Sequence, residues 1–333
     1  MSKIRPTRST ALTSRVVVIT GASSGIGRAT ALAFAADGAQ LVLAARNREA
    51  LDAVAQDCAH EGARTFVLPT DVTDADAVQA LADAALRHFG RIDVWINNVG
   101  VGAVGRFEDT PMASHRRVVE ANLLGHMNGA LAVLPHFRQQ EHGVLINMIS
   151  AGGWVAAPYA GAYTASKFGL RGWSESLRAE LVDVPGVHVC EVYPAFVDTP
   201  GLSHGANYSG RQLRPPPPLS DPRRVAAALV HLARHPQAVL AIGAPALPGR
   251  LAHAVAPNLL ARGMKRLFDR ALARAEPAAA TDGNLFTPSR SPAIDGGFRH
   301  RPLLKPATGL ALALAATTAA CVACVVINAR RKR

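Results

Sequence analysis

The sequence predicts a doubly wound α/β fold, a parallel sheet with helices on both faces, plus a C-terminal helical extension. Three observations predict it. Short apolar, β-branched runs alternate with longer amphipathic stretches from Val16 to about residue 245, and parallel strands need such crossovers. A glycine-rich turn lies between the first strand and the first helix, where such sheets bind ligands. The chain, at 333 residues, is long enough to bury one large domain with an appendage.

The elements follow in order. Val16–Thr20 is the first expected strand, and Arg28–Ala36 an Ala-rich helix after the glycine turn. Leu41–Ala45, Thr65–Pro69, Ile92–Asn97, Val144–Ile149 and Val187–Tyr193 read as further strands. Between them Ala50–Glu61, Ala75–Phe89, Ser114–Gln139 and Ala162–Leu181 read as helices. Past Pro200 a Gly/Ser/Pro-rich loop ends in the stiff run Pro215–Pro218. Asp221 and Pro222 then have the residue types of an N-cap and first turn, opening a helix to about His235. Val239–Ile242 is the last expected strand.

The C-terminal third differs in composition. Asn258–Arg274 spaces Leu259/Leu260, Met264, Leu267/Phe268 and Leu272 among five basic residues, which makes a basic amphipathic helix. Such a helix either lies on a membrane surface or covers the mouth of a site, and its pattern favours neither. Glu276–Pro306 reads as a flexible linker. Ala307–Ile327 is a 21-residue uncharged stretch bracketed by basic residues, long enough to cross a hydrocarbon core of about 30 Å. The expected organisation is an arm (1–14), an α/β domain (15–245), a basic helical extension (246–276), a linker (277–306), a membrane-spanning or membrane-embedded helix (307–327) and a basic tail (328–333). Residues 1–15 have no apolar core and are not expected to act as a secretory signal.

The net charge of +12 would suit nucleic acid, but its placement argues otherwise. Residues 1–199 carry 17 Lys/Arg against 19 Asp/Glu, and residues 200–333 carry 19 against 5. The excess belongs to the extension and tail, where an anionic membrane face is the natural partner. No basic patch interleaved with aromatics marks the α/β domain, so no nucleic-acid partner is expected. Cys58, Cys190, Cys321 and Cys324 do not form an extracellular disulfide framework. The Cys321/Cys324 pair lies in the apolar run, where a thiolate would be badly desolvated, and no metal is expected.

Three local patterns carry chemistry. Thr20-Gly21-Ala22-Ser23-Ser24-Gly25-Ile26-Gly27 lets the backbone turn tightly and presents helix N-terminal amides to a pyrophosphate. At the end of the next strand Ala45 stands where an acidic residue would bind a ribose 2′-hydroxyl, and Arg46 beside it suits a 2′-phosphate. NADP(H) is therefore expected over NAD(H). The third pattern is Tyr163-Thr164-Ala165-Ser166-Lys167, which puts a phenol and an ammonium on one helix face. The ammonium is expected to draw the phenol pKa down from about 10 toward the working range. Ser150, at a strand end 13 residues earlier, supplies a hydroxyl beside that acid.

With these motifs the chain resembles the short-chain dehydrogenase/reductase family over roughly residues 14–200, and more loosely to about 245. The resemblance implies a Rossmann-type catalytic domain and hydride transfer between a nicotinamide and a carbonyl or alcohol carbon. By the same resemblance Gly21, Gly25 and Gly27 bind the cofactor, together with Thr20, Ser23, Ser24 and Ile26. The Asn97-Asn98-Val99-Gly100 run matches the Asn-Asn-Ala-Gly motif at the adenine ribose, and Asp71-Val72 matches the pair at the adenine ring. Asn122, Ser150, Tyr163 and Lys167 match the catalytic tetrad, in which Lys167 also grips the nicotinamide ribose and Asn122 holds a water. Pro194-Ala195-Phe196-Val197-Asp198-Thr199 matches the nicotinamide cradle, placing Pro194, Val197 and Thr199 in the cofactor set. Val99 replaces Ala and Ala195 replaces Gly, and the second change bears on backbone geometry beside the nicotinamide.

The run Ala151–Tyr159 is uncharged and is expected to wall a site for a hydrophobic alcohol, ketone or aldehyde. An alternative is a 3-oxoacyl-thioester reductase whose basic surface meets an acidic carrier. Another, of a different class, is a membrane-tethered NADP(H) sensor without turnover, against which the full tetrad counts. Family resemblance implies a homo-dimer or homo-tetramer. The expected location is the membrane, with the catalytic domain facing the cytoplasm, or alternatively the cytoplasm itself.

Overall fold

The computed structural model describes residues 14–243, 246–289 and 291–299. The apolar stretch 307–327, the basic tail, Cys321, Cys324 and nearly all of the N-terminal arm lie outside the described residues. Among the described residues, no helix is long and apolar enough to cross a membrane.

The first half runs β1 (Val16–Thr20), α1 (Gly25–Ala36), β2 (Gln40–Ala45), α2 (Arg48–His60), β3 (Thr65–Pro69), α3 (Ala75–Phe89), β4 (Val94–Asn97), and the two-residue β5 (Ala103–Val104). The single helix expected over Ser114–Gln139 is instead α4 (Met112–Val119), a π turn (Glu120–Leu124) and α5 (Gly125–Gln139). Apolar periodicity does not register one extra residue in a turn, so the sequence hid the break. β6 (Gly143–Met148), α6 (Gly161–Glu180), β7 (Val187–Pro194), α7 (Gly201–His204) and β8 (Ala206–Asn207) follow. Then come α8 (Pro222–Arg234), β9 (Val239–Ile242), α9 (Ala246–Val255) and α10 (Pro257–Arg274).

Seven strands form one sheet in the order β3-β2-β1-β4-β6-β7-β9, with every pairing parallel. The order reverses between β1 and β4, which opens a crevice at their carboxyl ends. Strand side chains alternate between the faces. Val17 and Ile19 pack with Phe34, Leu51 and Leu229 of α1, α2 and α8. Val16 and Val18 pack on the other face with Leu81, Val133 and Leu177 of α3, α5 and α6. Side-chain caps set several helix starts. Asn47 accepts from the Ala50 amide, Asp74 from Asp76 and Ala77, and Asp221 from Arg223.

The linker expected over 277–306 is overturned in its described part. The described residues 284–289 and 291–299 run back across the α/β domain, held by backbone groups bonded to Arg28, Arg46, Asn47 and Asp198. Irregular Pro/Gly-rich chain shows no periodicity, but its carbonyl and amide groups still take partners wherever the fold offers them.

Candidate active site

The glycine turn is built by close approach. Gly21 lies at φ +67°, and a Cβ on Gly27 would stand 2.0 Å from the Gly21 carbonyl oxygen, so only glycine lets α1 pack this near β1. Asn98 fastens the turn from β4: its amide nitrogen donates to the Thr20 and Gly21 carbonyls, both at 3.2 Å. Its backbone amide donates to Thr20 Oγ1, which in turn donates to the Ile96 carbonyl. Ser24 is the extended N-cap of α1, and its side chain makes no capping bond. Ile26 packs against the core, as does Val99, whose carbonyl accepts from His126. The adjacent Gly100 brings backbone to within reach of Lys167: a Cβ there would be 3.9 Å from Nζ.

At the other end of the crevice Arg46, just past β2, feels the charge of Asp71 beyond β3, while Val72 packs in the core with Val78 and Leu81. Arg117 of α4 also points here and pairs with Asp71 at 2.5 Å. Burial would raise the Asp71 carboxyl, but hydrogen bonds from the Thr73 backbone and from Arg117 hold it below the usual range. Arg46 is lowered chiefly by burial, with Asp71 opposing and Arg117 adding to the effect. Two guanidinium groups thus stand at this end of the crevice. The sequence pointed to Arg46 alone, because Arg116-Arg117 reads as ordinary surface charge on a helix.

The reacting end is assembled by β6, the π turn and α6. Ser150 follows β6 at φ 112°, a backbone state costing a non-glycine residue about 1–3 kcal/mol and concentrated at functional sites. Its Oγ accepts from the Gly152 amide at 3.2 Å and is hydrogen-bonded to the Tyr163 phenol. The Tyr163 ring fits between two glycines, since a Cβ on Gly102 or Gly152 would lie 3.9 or 3.0 Å from it. Lys167 is 3% exposed, and its Nζ donates to the Met148 carbonyl at 2.8 Å.

Two sequence expectations change here. Tyr163 is raised, not lowered: burial dominates and the Ser150 hydrogen bond offsets it only in part. Lys167 Nζ is 5.8 Å from the ring centroid and is itself pulled down to about 7 by burial, so its charge does not govern the phenol in this state. His126 beside it is driven to about 3, by burial first and then by the Lys167 charge. Asn122, fully buried, exchanges two hydrogen bonds with the backbone of Val101 (2.8 and 2.9 Å) and donates to Ser166 at 3.1 Å. Both its amide hydrogens are committed. The side chain therefore ties the loop after β4 to the π turn and α6.

Pro194, Val197 and Thr199 line the end of β7, where Thr199 closes on the glycine turn: a Cβ on Gly25 would be 3.3 Å from it. Ala195 donates its amide to Ile242 at 2.9 Å and is not among the described non-glycine residues with positive φ, so the replacement of glycine brings no strain. The extension hoods the neighbouring loop. Tyr159 is hydrogen-bonded to Asp269 of α10, Lys265 donates to Tyr159 at 3.2 Å, and a Cβ on Gly249 of α9 would be 3.2 Å from Val155. These contacts seat α9 and α10 on the loop between β6 and α6. Trp154 departs from the expected wall; it is 2% exposed and stacks on Tyr193 at 3.8 Å.

A glycine cradle at a helix N-terminus, a guanidinium pair at one end and a Ser-Tyr-Lys group at the other define a dinucleotide-binding oxidoreductase. The chain belongs to the short-chain dehydrogenase family, whose model matches residues 15–206. It is 34% identical over 260 residues to an uncharacterized oxidoreductase, YxnA, of Bacillus subtilis, covering 77% of this chain and 73% of that protein. It is 37% identical to human dehydrogenase/reductase SDR family member 7 over 192 residues, 56% of this chain and 57% of the human protein. Among solved structures, an alcohol dehydrogenase from Thermococcus sibiricus complexed with 5-hydroxy-NADP superposes with a TM-score of 0.59 at 30% identity, covering 68% of this chain and 94% of that one. A metagenomic short-chain oxidoreductase in complex with NADP gives 0.60 at 29%, covering 70% and 96%.

Proposed function

We propose that this chain is an NADP(H)-preferring oxidoreductase acting on the CH–OH or C=O group of a hydrophobic alcohol, ketone or aldehyde. The observation that carries the cofactor choice is the pair Arg46 and Arg117 at the end of the crevice, with Ala45 where an acid would favour NAD(H). NADPH, when bound, supplies the hydride. Tyr163 donates the proton to the substrate oxygen, Ser150 holds that oxygen by hydrogen bond, and Lys167 orients the ribose. An apolar substrate is supported by the uncharged run Ala151–Tyr159 after Ser150, by the exposed Phe196 just past β7, and by the ammonium of Lys265 being already paired with Asp269 at 2.7 Å.

Substituting Arg46→Asp tests the cofactor choice. The ratio of NADPH to NADH affinity is expected to fall roughly 10–100-fold, the worth of a charge-assisted pair; an unchanged ratio refutes it. The ratio is the proper readout because Arg46 also donates to the carbonyls of Asn284 and Leu285. Screening hydrophobic ketones and alcohols for nicotinamide absorbance change identifies the substrate.

In the same reading residues 307–327 hold the enzyme to a membrane with the catalytic domain on the cytoplasmic side. The full chain is then expected in the membrane fraction, and a form lacking residues 303–333 in the soluble one. A full-length protein found wholly soluble would rule the anchor out. Self-association through the long helices α5 and α6 completes the proposal, supported by Leu131, 71% exposed on α5.

A further inference from the structure

Residues 284–289 and 291–299 lie along the crevice from its phosphate end, past the glycine turn, to the end of β7. At the phosphate end Arg46 donates to the carbonyls of Asn284 and Leu285 at 2.6 and 3.0 Å, and Arg117 donates to Leu285 at 3.1 Å. At the glycine turn the Gly25 amide donates to the Ala293 carbonyl at 2.9 Å. At the nicotinamide end the buried Asp198 accepts from the backbone amides of Gly296, Phe298 and Arg299.

The partners at the phosphate end and at the glycine turn are ones anionic ligands use, whereas Asp198 is an acceptor that only anchors the strap. A guanidinium pair and the first amide of α1 are donors suited to phosphate oxygens, and here backbone carbonyls of the same chain hold them. The strap is anchored rather than draped. Leu285 is 1% exposed and packs with Ala103, Val118 and Ala162. Gly296 touches the domain so closely that a Cβ would be 2.5 Å from the Thr199 carbonyl oxygen. Arg299 bridges Asp221 and Asp295 at 2.7 and 2.8 Å.

We propose that residues 284–289 and 291–299 form an autoinhibitory strap that occupies the dinucleotide crevice and must leave before the cofactor enters. The inference rests on the dinucleotide reading of that crevice. Strap and cofactor compete for the same donors, so the apparent dissociation constant is the intrinsic one divided by the fraction of molecules with the strap open. Apo protein is the closed state, and cofactor concentration sets how much of the enzyme is open.

The full-length chain and two full-length variants test this with NADPH as the probe. Leu285→Asp puts a charge in the apolar anchor, and Gly296→Val prevents seating from within the strap itself, leaving the domain's own contacts intact. Both are expected to bind NADPH about tenfold more tightly than the parent, which corresponds to a strap closed in about nine molecules of ten. Hydrogen exchange gives the second readout. Saturating NADPH should speed exchange in 284–299 of the parent chain while slowing it in residues 20–27. Equal or weaker binding by both variants, or slower exchange in 284–299 with NADPH, would overturn the strap while leaving the cofactor reading intact. Failure of all three proteins to bind NADPH would remove the cofactor reading and the strap with it.

Discussion

Tyr163→Phe is expected to lower turnover by roughly 10²–10⁴-fold, the usual worth of a positioned general acid, with NADPH affinity changed less than about threefold. The ring would keep its place between Gly102 and Gly152, so the loss isolates the hydroxyl. Burial raises the phenol above its ordinary value, which keeps it protonated at neutral pH, the form required for reducing a carbonyl. The opposite direction requires the phenolate. Alcohol oxidation should therefore climb with pH through the neutral and alkaline range, while carbonyl reduction is flat or falls. Steady-state rates in both directions from pH 6 to 10 check the sign. A phenylalanine variant retaining more than a tenth of parental turnover would remove Tyr163 from the acid role.

Lys167→Met is expected to abolish most activity and yet make the cofactor-free protein more stable near neutrality. The buried ammonium is pulled from 10.5 to about 7 by desolvation. Below about pH 7 the group is charged in both folded and unfolded chains, and the fold carries the full desolvation cost. Between about 7 and 10.5 only the unfolded chain holds the proton, so folded stability rises with pH; above that range neither holds it and the slope ends. The variant should lose this slope and gain on the order of a few kcal/mol at pH 7. Thermal melts of the apo proteins at pH 7 and 9.5 measure it. A parent chain whose stability is level or falling over that interval would contradict the burial argument. The penalty is removed once the ammonium gains a ribose hydroxyl, so a costly lysine fits a group placed for a ligand.

Much of the site was readable from residue types and spacing. The glycine turn is legible because no other residue permits Gly27 its distance from the Gly21 carbonyl, and the helical repeat puts Tyr163 and Lys167 on one face whatever surrounds them. Asp221 and Pro222 announced α8 because capping is local chemistry. Other features left no local mark. Arg117 joins Asp71 across 46 residues from a helix whose charges look like solvent-facing ones. The pKa order of Tyr163 and Lys167 ran against expectation because burial, which spacing does not report, outweighs the mutual charge effect. Trp154 stood in an apolar run beside the site and turned inward to stack on Tyr193.

The alternation of strands and helices and the Tyr163/Lys167 pair were thus encoded in periodicities of two and 3.6 and in a few turn residues, whereas the strand order came from the tertiary structure. So did the course of 284–289 and 291–299, because an aperiodic segment takes its path from groups some 240 residues earlier. Arg46 bonded to Asn284, and Gly25 bonded to Ala293, exist only once β1, β2 and α1 are in place to present those donors. Local chemistry specifies what an element is; long-range hydrogen bonding specifies what lies over it.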